Sequence, residues 1–179
     1  NHDEQRSACV MGRDRLKAAN VAFLTLPGIK LFLDGQFDGM RVRFPPQLVH
    51  RPAEEPDREV RGFFARLLAV TRANVFTEGR WTLDEVTGWP DNTTCSNVLA
   101  WSWMLGDQRR LIVVNLSENP AQAMVEIPEL GLAGAWWRIH DLLTGQVHHS
   151  RHDGSDLHGK GLYVDLGPWG CHILGFDPA

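Results

Sequence analysis

The sequence predicts an α/β segment over residues 1–74 followed by an all-β antiparallel sandwich over residues 75–179. Two observations carry this. Up to Ala73, apolar residues recur at helical spacing in two stretches, separated by one short apolar run and a long loop rich in Gly, Pro and Arg. After Asn74, short apolar runs bounded by turn residues recur about every ten residues, the pattern of a sandwich or barrel.

Taken in order, Leu16, Ala19, Val21, Ala22, Phe23 and Leu26 predict a helix starting near Arg13, which Pro27-Gly28 stops. Ile29-Lys30-Leu31-Phe32-Leu33, ended by Asp34-Gly35, fits a strand buried in a parallel sheet. Residues 35–59 read as a long loop, a length usual for functional or poorly ordered segments. A second helix is expected from about Asp57 to Ala73, where Val60, Phe63, Phe64, Leu67, Leu68 and Thr71 form one apolar face.

Seven strands then follow, at Asn97–Leu105, Arg109–Leu116, Ala121–Ile127, Ala135–His140, Gln146–Ser150, Gly161–Leu166 and Cys171–Phe176. Gly106-Asp107, Asn119-Pro120, Thr144-Gly145 and Pro168-Trp169-Gly170 separate them. The Arg110–Leu116 run suits a central strand and Tyr163–Leu166 an edge strand.

A lone strand between two helices cannot satisfy its own edges. The chain opens on Asn1-His2-Asp3-Glu4 with no initiator Met and no strand before it. If a strand ended at Asn1, residues 1–74 would hold the last units of a (β/α)8 barrel, which needs eight strands and about 250 residues. The expectation is therefore a chain that begins partway through a larger catalytic domain.

These residues resemble the α-amylase superfamily, glycoside hydrolase family 13. There an Asn-His-Asp motif closes the seventh barrel strand, matched by Asn1-His2-Asp3, and Pro-Gly, a hydrophobic run and Gly-Gln mark the eighth, matched by Pro27-Gly28-Ile29 and Gly35-Gln36. In the second half, Leu111–Leu116 with Asn115, Trp136-Trp137, Asp141-Leu142-Leu143-Thr144-Gly145 and Gly161 to Trp169 resemble that superfamily's C-terminal all-β domain. The resemblance implies a retaining glycosidase or transglycosidase acting on α-glucan or α-glucosides. Asp3 takes the role of the carboxylate that stabilises the transition state, His2 hydrogen-bonds sugar hydroxyls, and Asn1 fixes the strand end. The nucleophilic Asp and acid/base Glu belong to the fourth and fifth strands, which this sequence does not contain, so the 179-residue chain is expected to be inactive alone. Phe37 after Gly35-Gln36, where Glu is frequent, and Asp34, where an aromatic is common, depart from the pattern and bear on the substrate subclass.

The implied partners are an α-glucan or oligosaccharide and the N-terminal part of the barrel. The net charge of -4 gives no electrostatic case for nucleic acid or an anionic membrane. No apolar run approaches the roughly 20 residues of a membrane span. No cofactor is expected; calcium in the intact enzyme is compatible with the resemblance but not legible in this chain. The three cysteines, Cys9, Cys95 and Cys171, form neither a disulfide framework nor a metal spacing. His148, His149, His152 and His158, with Asp153 and Asp156, are dense in ligand-type side chains but match no standard metal spacing and read as a polar hairpin. The seven tryptophans all follow residue 80; core and interface positions are expected for most, with Trp89 or one of Trp136 and Trp137 at the surface. A reading from another class is an accessory carbohydrate-binding or structural sandwich without catalysis.

Overall fold

The computed structural model describes residues 3–45, 47, 50 and 53–179. Helices α1 (Ser7–Val10) and α2 (Gly12–Thr25) open it. Leu16, Ala18, Val21 and Leu24 bury one side of α2, and the side chains of Asn20 and Thr25 bond back to the carbonyls of Leu16 and Val21. Leu26 is extended and Pro27 follows, so the helix stops where the sequence places its end. Helix α3 (Arg58–Thr71) is capped by Asp57, whose carboxylate accepts from the amides of Glu59 and Val60. Val60, Phe63, Phe64 and Leu67 form its buried face.

The expected strand at Ile29–Leu33 is absent: the segment is irregular, with Ile29 101% and Leu31 83% exposed. Its apolar composition permits a strand, but a strand also requires a neighbour to take its amides and carbonyls. Among the described residues, no strand precedes Arg80, so residues 1–74 contribute the short α1, the longer α2 and α3 and a connecting coil in place of the expected α/β pattern.

From Val75 the chain is mostly strand. A short helix, α4 (Val75–Glu78), leads into β1 (Arg80–Leu83) and β2 (Glu85–Thr87). Then follow β3 (Val98–Leu105), β4 (Gln108–Asn115), β5 (Ala121–Glu126), β6 (Trp136–Asp141) and β7 (Val147–Asp153). Helix α5 (Gly154–Lys160), β8 (Leu162–Leu166) and β9 (Cys171–Pro178) complete the fold. One sheet has six strands in the order β1-β3-β4-β9-β6-β7, the other three in the order β2-β5-β8, and all pairs are antiparallel. All seven expected strands are present, with β4 interior and β8 at an edge as their patterns indicate. The sequence reading missed β1 and β2, which are only 4 and 3 residues long, and α5, which it took as part of a polar hairpin.

Asp84 stands where the chain passes from one sheet to the other, since β1 pairs with β3 and β2 with β5. The inner strands β3, β4 and β9 of the six-stranded sheet are covered on both faces. Val98, Ala100, Leu111, Val113, Leu174 and Phe176 pack against Ala121, Ala123, Val125, Leu162, Val164 and Leu166 of the smaller sheet. Trp101, Trp103, Ile112, Val114 and Ile173 face the other way, against α2 and α3. This explains the unbroken Leu111–Val114 run, because a strand covered on both faces buries every side chain. Among the described residues no helix is long and apolar enough to cross a membrane.

Candidate functional site

Asp3 lies in an exposed bend before α1, while Asn1 and His2 lie outside the described residues. Arg6, three residues on, is buried and anchors this end of the chain. Its Nη1 donates to the Asp34 carbonyl at 2.6 Å and its Nε to the Val42 carbonyl at 3.2 Å, while the guanidinium lies over the Phe44 ring at 5.4 Å. Nothing in the sequence neighbours of Arg6 signals a bond 36 residues away.

Gln36 completes the corner. Its carbonyl oxygen accepts from the Leu33 amide at 3.3 Å and its Nε2 donates to Asn20 Oδ1 at 3.3 Å. Gln5, Arg6, Ser7, Leu33, Gln36 and Met40 then line a cleft of about 200 Å³. The segment following Asp3 and the Gly35-Gln36 segment, distant in sequence, thus meet at one surface. Phe37 turns away and packs against Phe32 and Phe64, with ring centroids at 4.7 and 5.0 Å. The following loop is tied by Glu54, whose carboxylate accepts the amides of Arg41 at 2.7 Å and Val42 at 3.1 Å. Asp38 holds Arg61 of α3 at 2.8 Å, and Asp57 holds Arg13 of α2 at 2.8 Å. That last bond is the main reason the Asp57 carboxyl sits below the usual range.

A second constellation gathers at the open side of the sandwich. Asp141 ends β6 and is buried; its Oδ1 accepts the amides of Leu143 at 2.7 Å and Thr144 at 3.1 Å, closing the Asp141-Leu142-Leu143-Thr144-Gly145 turn. Its Oδ2 lies 2.6 Å from His172 Nδ1 on β9. Burial alone would raise the Asp141 pKa, but the His172 bond and the two amides together hold it below the ordinary value. His148 on β7 packs edge-on to His172, with centroids 4.5 Å apart. Desolvation, then the neighbouring His172 charge, lower the His148 pKa. Of the histidine-rich segment singled out in the sequence, only His148 joins this group; His149 pairs with His152 at 4.8 Å and His158 lies on α5.

The tryptophans divide largely as expected. Trp101, Trp103 and Trp137 are buried, and Trp136 is exposed beside Arg151, 4.4 Å from its ring. Trp89 is exposed and sits 6.0 Å from the ring of exposed Tyr163 on the outer face of the smaller sheet.

No protein-family model matches this sequence, and no curated protein matches it. Solved structures do match its backbone. A noncanonic maltogenic α-amylase, AmyB from Thermotoga neapolitana, superposes with a TM-score of 0.76 at 17% identity, over 98% of this chain and 39% of its own. The α-amylase GTA of Geobacillus thermoleovorans, solved with acarbose, gives 0.68 at 14% identity over 92% of this chain and 33% of its own. An acarbose-soaked debranching enzyme from Nostoc punctiforme gives 0.66 at 18% identity over 98% and 32%. The chain thus spans well under half the length of each of these enzymes. The resemblance read from Asn1-His2-Asp3 and the motifs that follow is matched at the level of backbone: this chain has a fold found within α-amylases and a debranching enzyme.

Proposed function

We propose that this chain forms the C-terminal part of an α-amylase-type glycoside hydrolase or transglycosidase that acts on α-glucan or α-glucosides with retention. The observation that carries the reading is the backbone likeness over 98% of this chain to an amylase of which it spans 39%. The exposed Ile29 and Leu31 add to it, because an apolar run with strand character and no neighbour suits a sheet completed by further polypeptide. The acarbose complexes of two similar enzymes fit an oligosaccharide substrate.

In this reading residues 1–74 are the end of a (β/α)8 barrel and residues 75–179 the sandwich packed on it. Asp3 sits two residues before the cleft lined by Gln5, Arg6 and Gln36. Glycosidic cleavage develops positive charge on the sugar, and a carboxylate near it stabilises that charge while holding hydroxyls. Asp3 takes this role, with His2 and Asn1 beside it in sequence. The nucleophile and acid/base carboxylates come from polypeptide outside these 179 residues, so the isolated chain has no glycosidase activity.

One observation favours a second reading, an accessory sugar-binding sandwich: the exposed Trp89–Tyr163 pair offers aromatic faces for a sugar ring, beside Asn92, Gln122 and Asp165. The two readings separate in the longer gene product that contains this chain. Under the first, Asp3→Asn lowers turnover of maltooligosaccharides by about 100-fold or more with unchanged melting temperature, and the first product keeps the substrate's anomeric configuration. Hydrolysis by the 179-residue chain alone, or near-normal turnover of the Asp3→Asn protein, overturns the assignment.

A further inference from the structure

We propose that His148 and His172, with Asp141 behind them, form a binding site for a divalent transition-metal ion of the zinc class. The argument is independent of the glycosidase reading. The three residues come from β7, β9 and β6, and one donor atom from each lies within 4.8 Å of the others. The two imidazoles thus stand close enough for side-chain rotation to bring one nitrogen of each onto a single ion, with Asp141 behind them.

The hydrogen bonds assign the roles. Both oxygens of Asp141 are engaged, Oδ1 by two backbone amides and Oδ2 by His172. A carboxylate in this position accepts, so Nδ1 of His172 donates and carries the ring proton. His172 is thereby fixed in the tautomer whose Nε2 has a free lone pair, the arrangement in which a carboxylate orients a metal-binding imidazole. Asp141 is a positioning residue, and the imidazoles of His148 and His172 are the direct ligands. Two imidazoles favour zinc, cobalt, nickel or copper over calcium and magnesium, which prefer all-oxygen shells.

The surroundings supply an entry path and room for further ligands. His148 is exposed and His172 half-buried. A cleft of about 230 Å³, lined by both together with His149, Tyr163, Asp165 and Leu174, opens where β8 edges the smaller sheet. Water or a small oxygen ligand in this cleft completes the coordination. A bound ion also ties β7 to β9 across β6 and stabilises the folded state by mass action.

The test is calorimetric titration of the untagged chain with zinc chloride, with cobalt(II) absorption as a second signal. One ion per chain is expected, with a rise in melting temperature that a chelator reverses. His148→Gln and His172→Gln each weaken binding at least tenfold, whereas His158→Gln on α5 leaves it unchanged. Long-range proton–nitrogen spectra report His172 protonated on Nδ1 in the metal-free protein, and zinc shifts its Nε2 resonance. Because His148 is exposed, its variant keeps the test valid even where His172→Gln fails to fold. No zinc binding by the parent chain, equal affinity in the His148→Gln protein, or an Nε2-protonated His172 overturns the proposal.

Discussion

The indole Nε1 of Trp103 donates to the carbonyl oxygen of Thr25 at 2.7 Å, across 78 residues of sequence. Thr25 is the last residue of α2 and Trp103 lies on β3, so the bond joins the helical layer to the six-stranded sheet. It supplies a partner to a helix-end carbonyl and to an indole N–H, both of which burial would otherwise leave unpaired. Phe76 packs edge-on to the same indole at 6.1 Å.

Trp103→Phe keeps a ring in this position and removes the donor. The expected loss of stability is about 1–3 kcal/mol, the cost of an unsatisfied buried carbonyl plus a smaller side chain. Urea unfolding monitored by circular dichroism checks it, and a change below about 0.5 kcal/mol argues against this bond as a tie between the layers.

Asn115 is fully buried and ties together two loops, the β4–β5 and β8–β9 connections. Its Nδ2 donates to the carbonyls of Asn119 at 2.7 Å and Gly167 at 2.9 Å, while its Oδ1 accepts from the amide and hydroxyl of Ser117, each at 3.0 Å. Asn115→Asp replaces the donating amide by a second acceptor facing two carbonyls, and Asn115→Ala removes the network altogether. Both are expected to cost about 2–4 kcal/mol, with Asp the worse above its pKa because it adds a buried charge. Thermal melts at pH 7 and pH 4 distinguish the two: the Asp variant recovers part of its deficit at the lower pH.

Asp84, at the crossing between the sheets, is buried, and among the described residues only its Oδ1 has a partner, the Ser102 hydroxyl at 3.0 Å. Burial pushes its pKa up to about 7, with the Ser102 bond opposing and the Glu129 charge adding. The folded state therefore binds a proton that the unfolded chain releases near pH 4. Stability from neutral Asp84 is complete below that point and declines as pH rises to about 7. Asp84→Asn removes the titration. The stability difference between variant and parent should grow in the variant's favour by about 2 kcal/mol or more across this window. The comparison is made as a difference because His148 and His149, whose pKa values burial lowers, change stability in the opposite sense as pH rises. A difference that does not vary with pH contradicts the assignment.

The sandwich was legible in the sequence because each strand carries its own evidence. The alternation Leu162-Tyr163-Val164-Asp165-Leu166 reports a half-buried edge, and Leu111 to Val114 an interior strand, before any pairing is known. Helix α2 was similarly bounded by Pro27, and α3 by the capping Asp57. Strands β1 and β2 were missed because runs of 4 and 3 residues hold too little periodicity to recognise. Helix α5 was missed because one buried apolar side chain, Leu157, is too weak a signal among polar neighbours. Gly154 at its start does have a tertiary reason: a Cβ there would overlap the carbonyl oxygen of Leu132.

The sequence by itself determined the antiparallel sandwich and the two principal helices, because local period and turn chemistry are written in consecutive residues. Tertiary structure decided what depends on convergence: that Ile29–Leu33 is no strand here, that Arg6 anchors the loop at Asp34 and Val42, and that Asp141, His148 and His172 meet. The physical reason is the same in each case. A hydrogen bond or a metal-binding geometry is a relation between atoms, and only the fold brings residues such as Asp141 and His172, 31 positions apart, within 2.6 Å.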